Sequence, residues 1–538
     1  MSIRVAKWEK PDNIVLHWTA GKPRPVSTPL DQSKEQTIMK SSFLDSLAAL
    51  VVIAMTCSVG DAAGAEVDVL DIGSRRELFV DYYLLDKLDG TDLKLQEPKP
   101  AGVAIKYDKP WEGGMSFYTT VFQVGDTYRM YYRGGSTACY AESEDGIHWT
   151  KPVLGLVEID GSSRNNVIRK DGWAVFSVFL DTRPGVPAEE RFKGNWPLRE
   201  PGGGMIGYVS SDGIHWKKLS DKPLVPMEAP EDFDGQNVIF WSQAESCYVL
   251  YARHGEGGRR ATFRATSKDF RHWTKRTLMT YSDTESTVPS ANLYTNQTHP
   301  YFRAPHIYIA LPGRIFFADT DHISHEDDIA AAGRKVISPE LREFVKQNLS
   351  ENLQTSTGDY SDGVLLSTRA GSTRFDFTFL ESFIRPGIGL ENWTTRTNYP
   401  AQGVVQTGPS EMSLYVQRDF GQRTAHLQRM TLRIDGFASV NAPYKGGEML
   451  TKPFAFAGRE LHINYSTSAA GDIRVEIQEP NGNAIPPFTL TECVPIIGDQ
   501  IDRVVAWNDG SDVRRLAGQP IRLRFVMKDA DLFSLCFK

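Results

Sequence analysis

Apolar and polar residues alternate with a period of two along most of this chain, the pattern of strands with one face buried. "FYTTVFQVGDTYRMYYRGG", Phe117 to Gly135, is the clearest instance: two alternating runs meet at the Gly125-Asp126 turn of a hairpin. "NVIFWSQAESCYVLYAR" repeats the design, and "APHIYIALPGRIFF" and "GVVQTGPSEMSLYVQR" follow it more loosely. "AVFSVFLDTRPG" does so with a longer turn before "RFKGNW". Behind each hairpin comes another β-rich run ending in a related turn. Ser143–Trp149 reads "SEDGIHW", Ser210–Trp216 "SSDGIHW" and Ser267–Trp273 "SKDFRHW"; "STRAGSTRF" from Ser367 and "RIDGFAS" from Arg433 are fainter copies. Asp-Gly or its substitute closes a tight hairpin, and Trp149, Trp216 and Trp273 are expected to pack on the strands. One unit is thus four strands, and four-stranded units repeated around an axis build a β-propeller. Five copies predict five blades over 105–440.

Three stretches depart from this pattern. Residues 322–354 have helical spacing and charge, which predicts a helical insertion outside the sheets. From 441 to 538, alternating runs joined by Gly, Asn and Pro turns predict a separate antiparallel β-sandwich. Residues 66–104 are expected to be a strand segment packing on the propeller. The fold class is all-β.

Composition narrows the function. With 538 residues the chain is too long for one ordinary core. The formal charge of -7, with no basic run, argues against nucleic acid and anionic membranes as partners. "MKSSFLDSLAALVVIAMTCSVGDAAGAE", Met39 to Glu66, reads as a secretory signal. Lys40 gives the positive start, Leu47 to Val59 the apolar core, and Ala63-Gly64-Ala65 the cleavage site. The apolar run is too short for a membrane span. The expectation is that Met39 is the start, that 1–38 is an upstream extension, that 39–65 is the signal, and that the protein is secreted or periplasmic. Four cysteines then remain, of which Cys139 and Cys247 sit in strand-like runs as buried thiols, and Cys493 and Cys536 are a candidate disulfide. No C-x-x-C or histidine cluster points to a metal, and no cofactor is expected.

A propeller gathers the first strand of every blade around a tunnel, so acids at the starts of those strands can face one another. Glycoside hydrolysis needs such a pair of carboxylates. Export, an acidic chain and many Trp and Tyr residues favour a glycan substrate.

"LFVDYYLLD", "PWEGGMSFYTTVF", "YRMYYRG", "ACYAESEDGIHWTKPVLG", "FDGQNVIFW", "YTNQTHPYFRAPHIYIALP", "SFIRPG" and "DADLFSLCF" carry a resemblance covering nearly all of 75–538. The chain resembles the five-bladed propeller glycosidases of glycoside hydrolase families 32 and 43, in particular secreted bacterial family 32-like proteins. The resemblance implies a five-bladed propeller, a C-terminal sandwich like that of family 32, and a glycosidase. The W-M-N-D-P-N-G and R-D-P motifs of family 32 are missing, and "MEAPEDF", Met227 to Phe233, is only similar to its E-C-P-D-F.

The candidate acids are Asp234 before "GQNVIFW" and Glu228 in the same loop, either as general acid. Glu112 in "PWEGG" and Asp81 in "LFVDYYLL" are the candidate bases or nucleophiles, and Glu411 in "GPSEMSLY" is a further candidate. Asp181 reads as a turn residue. His299, Arg303 and His306 in "HPYFRAPH" could hold hydroxyls or an anionic substituent such as sulfate or uronate. Gln236 and Asn237 follow Asp234 into its strand as candidate substrate contacts, and Trp111, Trp173 and Trp393 are candidate sugar platforms. Two other readings stand beside the glycosidase: a non-catalytic glycan-binding propeller, and a sialidase-like hydrolase, because S-x-D-G-x-x-W resembles the Asp-box of that fold.

Overall fold

A computed structural model describes residues 69–170, 175–256, 259–316, 340, 343, 360–394 and 396–538. The expected extension 1–38, the signal at 39–65, Trp173 and nearly all of the insertion at 322–354 lie outside the described residues. Regular structure among the described residues is almost wholly β.

Sheets follow one another along the chain, each a meander of antiparallel strands. The first runs Phe117–Val124, Thr127–Gly134, Thr137–Ser143, Val167–Arg169. A second holds Ser177–Leu180, Phe192–Leu198, Gly204–Ser210 and Lys217–Lys218, and a third Val238–Ser242, Cys247–Glu256, Arg259–Ser267 and Thr277–Leu278. The fourth region divides into two three-stranded sheets, one begun by Leu293–Tyr294 and one by His299–Tyr301. The last comprises Val405–Gln406, Glu411–Arg418 and His426–Arg433, and its outer place is taken by Lys99–Lys106 from far upstream. That pairing covers an edge that would otherwise be open to association.

First strands of successive sheets lie side by side. Ser177–Leu180 contacts both Phe117–Val124 and Val238–Ser242, Val238–Ser242 contacts His299–Tyr301, and Val405–Gln406 returns to Phe117–Val124. A buried hydrogen-bond chain links four of these regions. Gln297 Nε2 donates to Gln236 Oε1 (2.9 Å) and Gln236 Nε2 to Thr120 Oγ1 (2.7 Å). Thr120 Oγ1 in turn donates to Gln402 Oε1 (3.1 Å). Buried amides are costly unless bonded, so these links specify how the strands sit around the centre.

The repeated turns explain themselves physically. In the first copy, Asp145 Oδ1 accepts the backbone N–H groups of Ile147 (2.7 Å) and His148 (2.8 Å), and Oδ2 meets His148 Nδ1 at 2.7 Å. Asp212 and Asp269 do the same in the second and third copies. The residue after each aspartate is left-handed: Gly146 (φ 71°), Gly213 (φ 79°) and Phe270 (φ 67°). Each tryptophan packs half-buried against its sheet and donates Nε1–H to that left-handed residue's carbonyl. Partial burial raises each aspartate's pKa, but the hydrogen bonds from the histidine ring and the backbone outweigh it and hold all three carboxyls well below the usual range. In the fifth copy Asp435 is also left-handed, yet its carboxylate is buried in an interface described below.

From Ala438 onward the chain builds an eight-stranded sheet around the long strand Arg522–Phe537, which also recruits Glu77–Leu78, Leu85–Asp89 and Asp92–Leu95. Residues expected as a single N-terminal segment are therefore divided between this sheet and the one completed by Lys99–Lys106. Its core includes Trp507, Phe525 and the stacked pair Phe456–Phe537 (centroids 3.8 Å apart). The candidate Cys493–Cys536 disulfide is not formed: both are free buried thiols. Cys493 touches Val475 N whereas Cys536 lies opposite His462, towards the two ends of Leu461–Gln478, far beyond the ~7 Å Cα separation a disulfide spans. Cys139 and Cys247 are buried as expected.

Asp212→Ala removes the acceptor of two backbone N–H groups and should cost roughly 1 kcal/mol of stability. Because the folded carboxyl titrates below the unfolded one, this contribution is complete above about pH 4 and fades as pH falls further. Urea unfolding of both proteins at pH 7 and pH 3 measures it. Equal midpoints at pH 7 would show that the turn holds without its aspartate.

Candidate functional site

The starts of the first strands converge on a cluster made of Phe117, Tyr118, Val175, Tyr294, Tyr399 and Phe420. Tyr118 Oη and Tyr294 Oη are 2.7 Å apart and buried. Beside them runs Asp234-Gly235, the approach to the third sheet; a Cβ placed on Gly235 would lie 3.8 Å from Tyr118 Oη. A narrow pocket with about 20 Å³ of accessible space begins here, with Asp234, Gln236, Arg253, Arg260 and Thr295 in its lining. Tyr118, Thr295 and Tyr399 line a second cavity that adjoins it at Thr295.

Backbone strain concentrates at this place. Tyr118 (φ 55°), Phe233 (61°), Thr295 (64°), Gln297 (52°), Arg396 (53°) and Asn398 (74°) are all left-handed without being glycine. Such conformations cost of order 1–3 kcal/mol each and gather where a site demands a particular side-chain direction. Tyr118 and Thr295, bulky and β-branched, are the most strained in kind.

Arginines surround the tyrosine pair. The guanidinium carbons of Arg253, Arg260 and Arg396 lie 5.8, 5.2 and 5.7 Å from the centroid of Tyr294, and that of Arg133 lies 6.0 Å from Tyr118. Arg253 Nη1 donates to Asp234 Oδ2 (2.8 Å), and Arg199 stands 3.5 Å from the other oxygen. Arg260 Nη1 donates to Asn292 Oδ1 (2.6 Å). Burial and then the neighbouring Arg253 lower the Arg260 pKa, and burial lowers that of Arg133. Burial pushes the Tyr118 hydroxyl far above its ordinary range, and the nearby Tyr294 and Asp234 add to this, so it is a neutral hydroxyl. Thr295 Oγ1, Gln297 Oε1 and Asn292 Nδ2 are buried with no hydrogen-bond partner among the described residues.

Of the residues expected from sequence, Asp234 and Gln236 line this pocket, and Asn237 sits behind them. Asn237 Nδ2 donates to the Phe233 and Gly235 carbonyls while its Oδ1 accepts Arg253 N–H. The other candidate acids are not brought to the pocket. Glu112 is buried inside the first sheet, bonded by Tyr132 Oη (2.6 Å) and Lys151 Nζ (2.7 Å). Asp81 pairs with Arg369 (2.9 Å), which also bonds Glu77. Glu228 is exposed and meets Arg276 at 3.1 Å, and Glu411 pairs with Arg429. Asp181 has one oxygen in a turn, accepting Arg183 N–H, while the other is buried against Lys193 (2.7 Å) and Tyr248 Oη (2.6 Å).

His299, Arg303 and His306 do not form one group. His299 is buried, donates from Nδ1 to the Gln297 carbonyl (2.8 Å), and burial lowers its pKa to about 4. His306 Nε2 meets Glu77 Oε1 at 2.9 Å. Arg303 donates to Asp435 (2.8 Å), which also accepts from Tyr301, Asn464 and Ser534 where the strands around His299–Ala310 meet the eight-stranded sheet. Trp111 donates to Asn166 and packs on the first sheet's core, and Trp393 is partly exposed with its N–H on the Gly387 carbonyl. Among the described residues no group of three or more His, Cys, Asp or Glu could hold a metal ion.

Sequence reasoning missed Tyr118, Tyr294 and the four arginines. A signal existed. "MYYRGG" and "LYARHG" occupy equivalent places in the first and third hairpins and align Arg133 with Arg253.

No protein-family model matches the chain, and no curated protein matches it. Solved structures similar to it include a family 43 arabinoxylan arabinofuranohydrolase from Bacillus subtilis in complex with cellotetraose, at 12% identity and TM-score 0.36, covering 82% of this chain and 99% of that one. A second is a fructofuranosidase from Schwanniomyces occidentalis complexed with fructosylnystose, at 11% and 0.33, covering 81% and 96%. A third is an N-acetylgalactosamine deacetylase from F. plautii in complex with blood group B trisaccharide, at 12% and 0.38, covering 64% and 96%. Identities and scores this low establish no kinship.

Asp81→Asn leaves Arg369 buried with Glu77 alone and should cost about 3 kcal/mol in urea unfolding; a cost near zero would remove the ion pair from any structural role. His299 has its folded pKa below its unfolded one, so it withholds a proton that the unfolded chain takes up as pH drops below 6.5. Stability is therefore lost as pH falls from 6.5 towards 4, by roughly 2 kcal/mol between pH 7 and pH 4.5. His299→Gln should flatten that loss in the same measurement, and an unchanged pH slope would rule His299 out as its source.

Proposed function

We propose that the sheets from 99 to 433 are the five blades of a propeller closed by Lys99–Lys106, that the C-terminal region is a β-sandwich, and that the protein is an exported glycan-active hydrolase working around Asp234. The observation that carries the chemistry is the placement of Asp234, a partly exposed carboxylate at the approach to a first strand, at a narrow pocket beside a buried pair of tyrosine hydroxyls. A positioned carboxylate can accept a proton from a sugar hydroxyl or an attacking water, and a neutral hydroxyl can hydrogen-bond a leaving oxygen that takes its proton from solvent. Asp234 is the base in this reading and Tyr118, which shares a hydrogen bond with Tyr294, is the hydrogen-bond donor. Thr295 Oγ1 and Gln297 Oε1, without a partner among the described residues, supply bonding capacity that a polyhydroxylated ligand would use.

A second reading is a glycan-binding propeller without turnover. It is favoured by the pocket lining, where Asp234 is the single carboxylate among the described residues, whereas hydrolysis by a carboxylate pair needs two.

The test is incubation of the purified protein with plant and algal polysaccharides while new reducing ends are measured. Asp234→Asn should lower the rate by about 100-fold or more with the melting temperature unchanged. Undiminished turnover by the folded variant would overturn the assignment of Asp234. Binding without product from any glycan would leave the binding module as the function.

A further inference from the structure

We propose that a separate pocket beside the last sheet binds a small organic carboxylate, with its anionic group on Arg418 and its apolar part along the prolines and Ile388 of the lining. The pocket offers about 260 Å³ of accessible space. Pro98 and Pro100, at the start of the closing strand Lys99–Lys106, supply part of its wall. Gln428 and Met430, two positions apart and so on one face of His426–Arg433, supply another. Phe383, Ile384, Pro386 and Ile388 supply the third.

Arg418 carries the argument. It lines this pocket and is only 5% exposed. Its Nε donates to Gln428 Oε1 (2.8 Å), and its Nη1 to Asn398 Oδ1 and the Pro386 carbonyl (3.3 Å). These acceptors are all neutral. Nη2, which carries two N–H donors, has no hydrogen-bond partner among the described residues, and Arg418 forms no ion pair there. Other buried guanidinium groups reach an acid: Arg76 meets Asp435, Arg276 meets Asp232, and Arg369 meets Asp81. Asp419 acts on Arg418 only from beyond ion-pair distance, and its own carboxylate faces His426 at 3.7 Å. Burial lowers the Arg418 pKa to about 10, which leaves it charged at neutral pH. A buried charge is costly unless it is paired, and an entering carboxylate would pair it.

The rest of the lining fits the same class. Arg385 is an exposed second cation, and exposed Glu97 is the one carboxylate of the described lining. Asn392 Nδ2 donates to the Ile388 carbonyl (2.7 Å) and so holds the loop that presents Ile388. Apolar walls with a few placed polar groups suit an organic ligand. The two donors of one nitrogen match a carboxylate oxygen and fall short of what a doubly charged phosphate needs. A larger groove of about 550 Å³, lined by Arg76, Arg303, His306 and Lys538, does not offer the same opening. Asp435 already engages Arg76 and Arg303, Glu77 engages His306, and Asp502 engages Lys538.

Calorimetric titration of the full-length protein with hexanoate, hexanamide and inorganic phosphate tests the proposal. Hexanoate should bind about tenfold more tightly than its neutral amide, and more tightly than phosphate. Arg418→Met should abolish the preference for the acid over the amide. Arg385→Gln, at an exposed position, should weaken hexanoate by about threefold. Location is read separately from the methyl signal of Met430, which lines the pocket and is assigned by its loss in Met430→Leu. Hexanoate should shift that signal in the unaltered protein, a result that stands even if Arg418→Met fails to fold. Equal affinity for hexanoate and hexanamide, tighter binding of phosphate, or a Met430 signal that hexanoate leaves in place would each overturn the proposal. None of these outcomes bears on turnover at Asp234.

Discussion

The pairing of Lys99–Lys106 with His426–Arg433 is the constraint on which the rest depends. It joins residues more than three hundred positions apart, so its loop-closure entropy must be met by contacts that form together with it. It supplies the fourth strand of the last sheet, whose Val405–Gln406 lies against Phe117–Val124. The first strands can then meet, and the amide chain from Gln297 through Gln236 and Thr120 to Gln402 can form. The same upstream segment supplies Asp92–Leu95 to the eight-stranded sheet, so one short run of chain ties the two parts of the molecule together.

Buried charge is divided between two tasks. Glu77, Asp81 and Arg369 form one sealed group, and Asp435 with Arg76 and Arg303 forms another, both at the seam between sheets. Such groups are expensive to desolvate and add little net stability, but removing one partner strands the other, which makes the seam specific. Around Tyr118 and Tyr294 the balance differs. Cations crowd there, and the backbone is held left-handed at several residues with side chains, an arrangement that folding alone would not favour.

Much of the architecture was legible in the order of residues. The strands, the hairpins and the Asp-turn copies are local matters. A period-two pattern and an aspartate that can accept two nearby N–H groups act over fewer than about ten residues. Asp234 at its strand entrance was legible for the same reason. Asp81 and Glu112 were not distinguishable from it, because an acid in an apolar run looks the same whether a lysine, an arginine or a ligand lies opposite. Lys151 and Arg369 are distant in sequence from the acids they neutralise, and no local pattern announces them.

The sequence by itself determined the all-β character, the repeat and the turn chemistry, since each depends on neighbours along the chain. It also placed Cys139 and Cys247 inside, because strand alternation decides burial. Tertiary structure alone decided which acids are spent in ion pairs, that Cys493 and Cys536 stand too far apart to bond, and that four arginines converge on two tyrosines. Those outcomes depend on which distant strands pack together, and electrostatic energy responds to distance through space, not to separation along the chain.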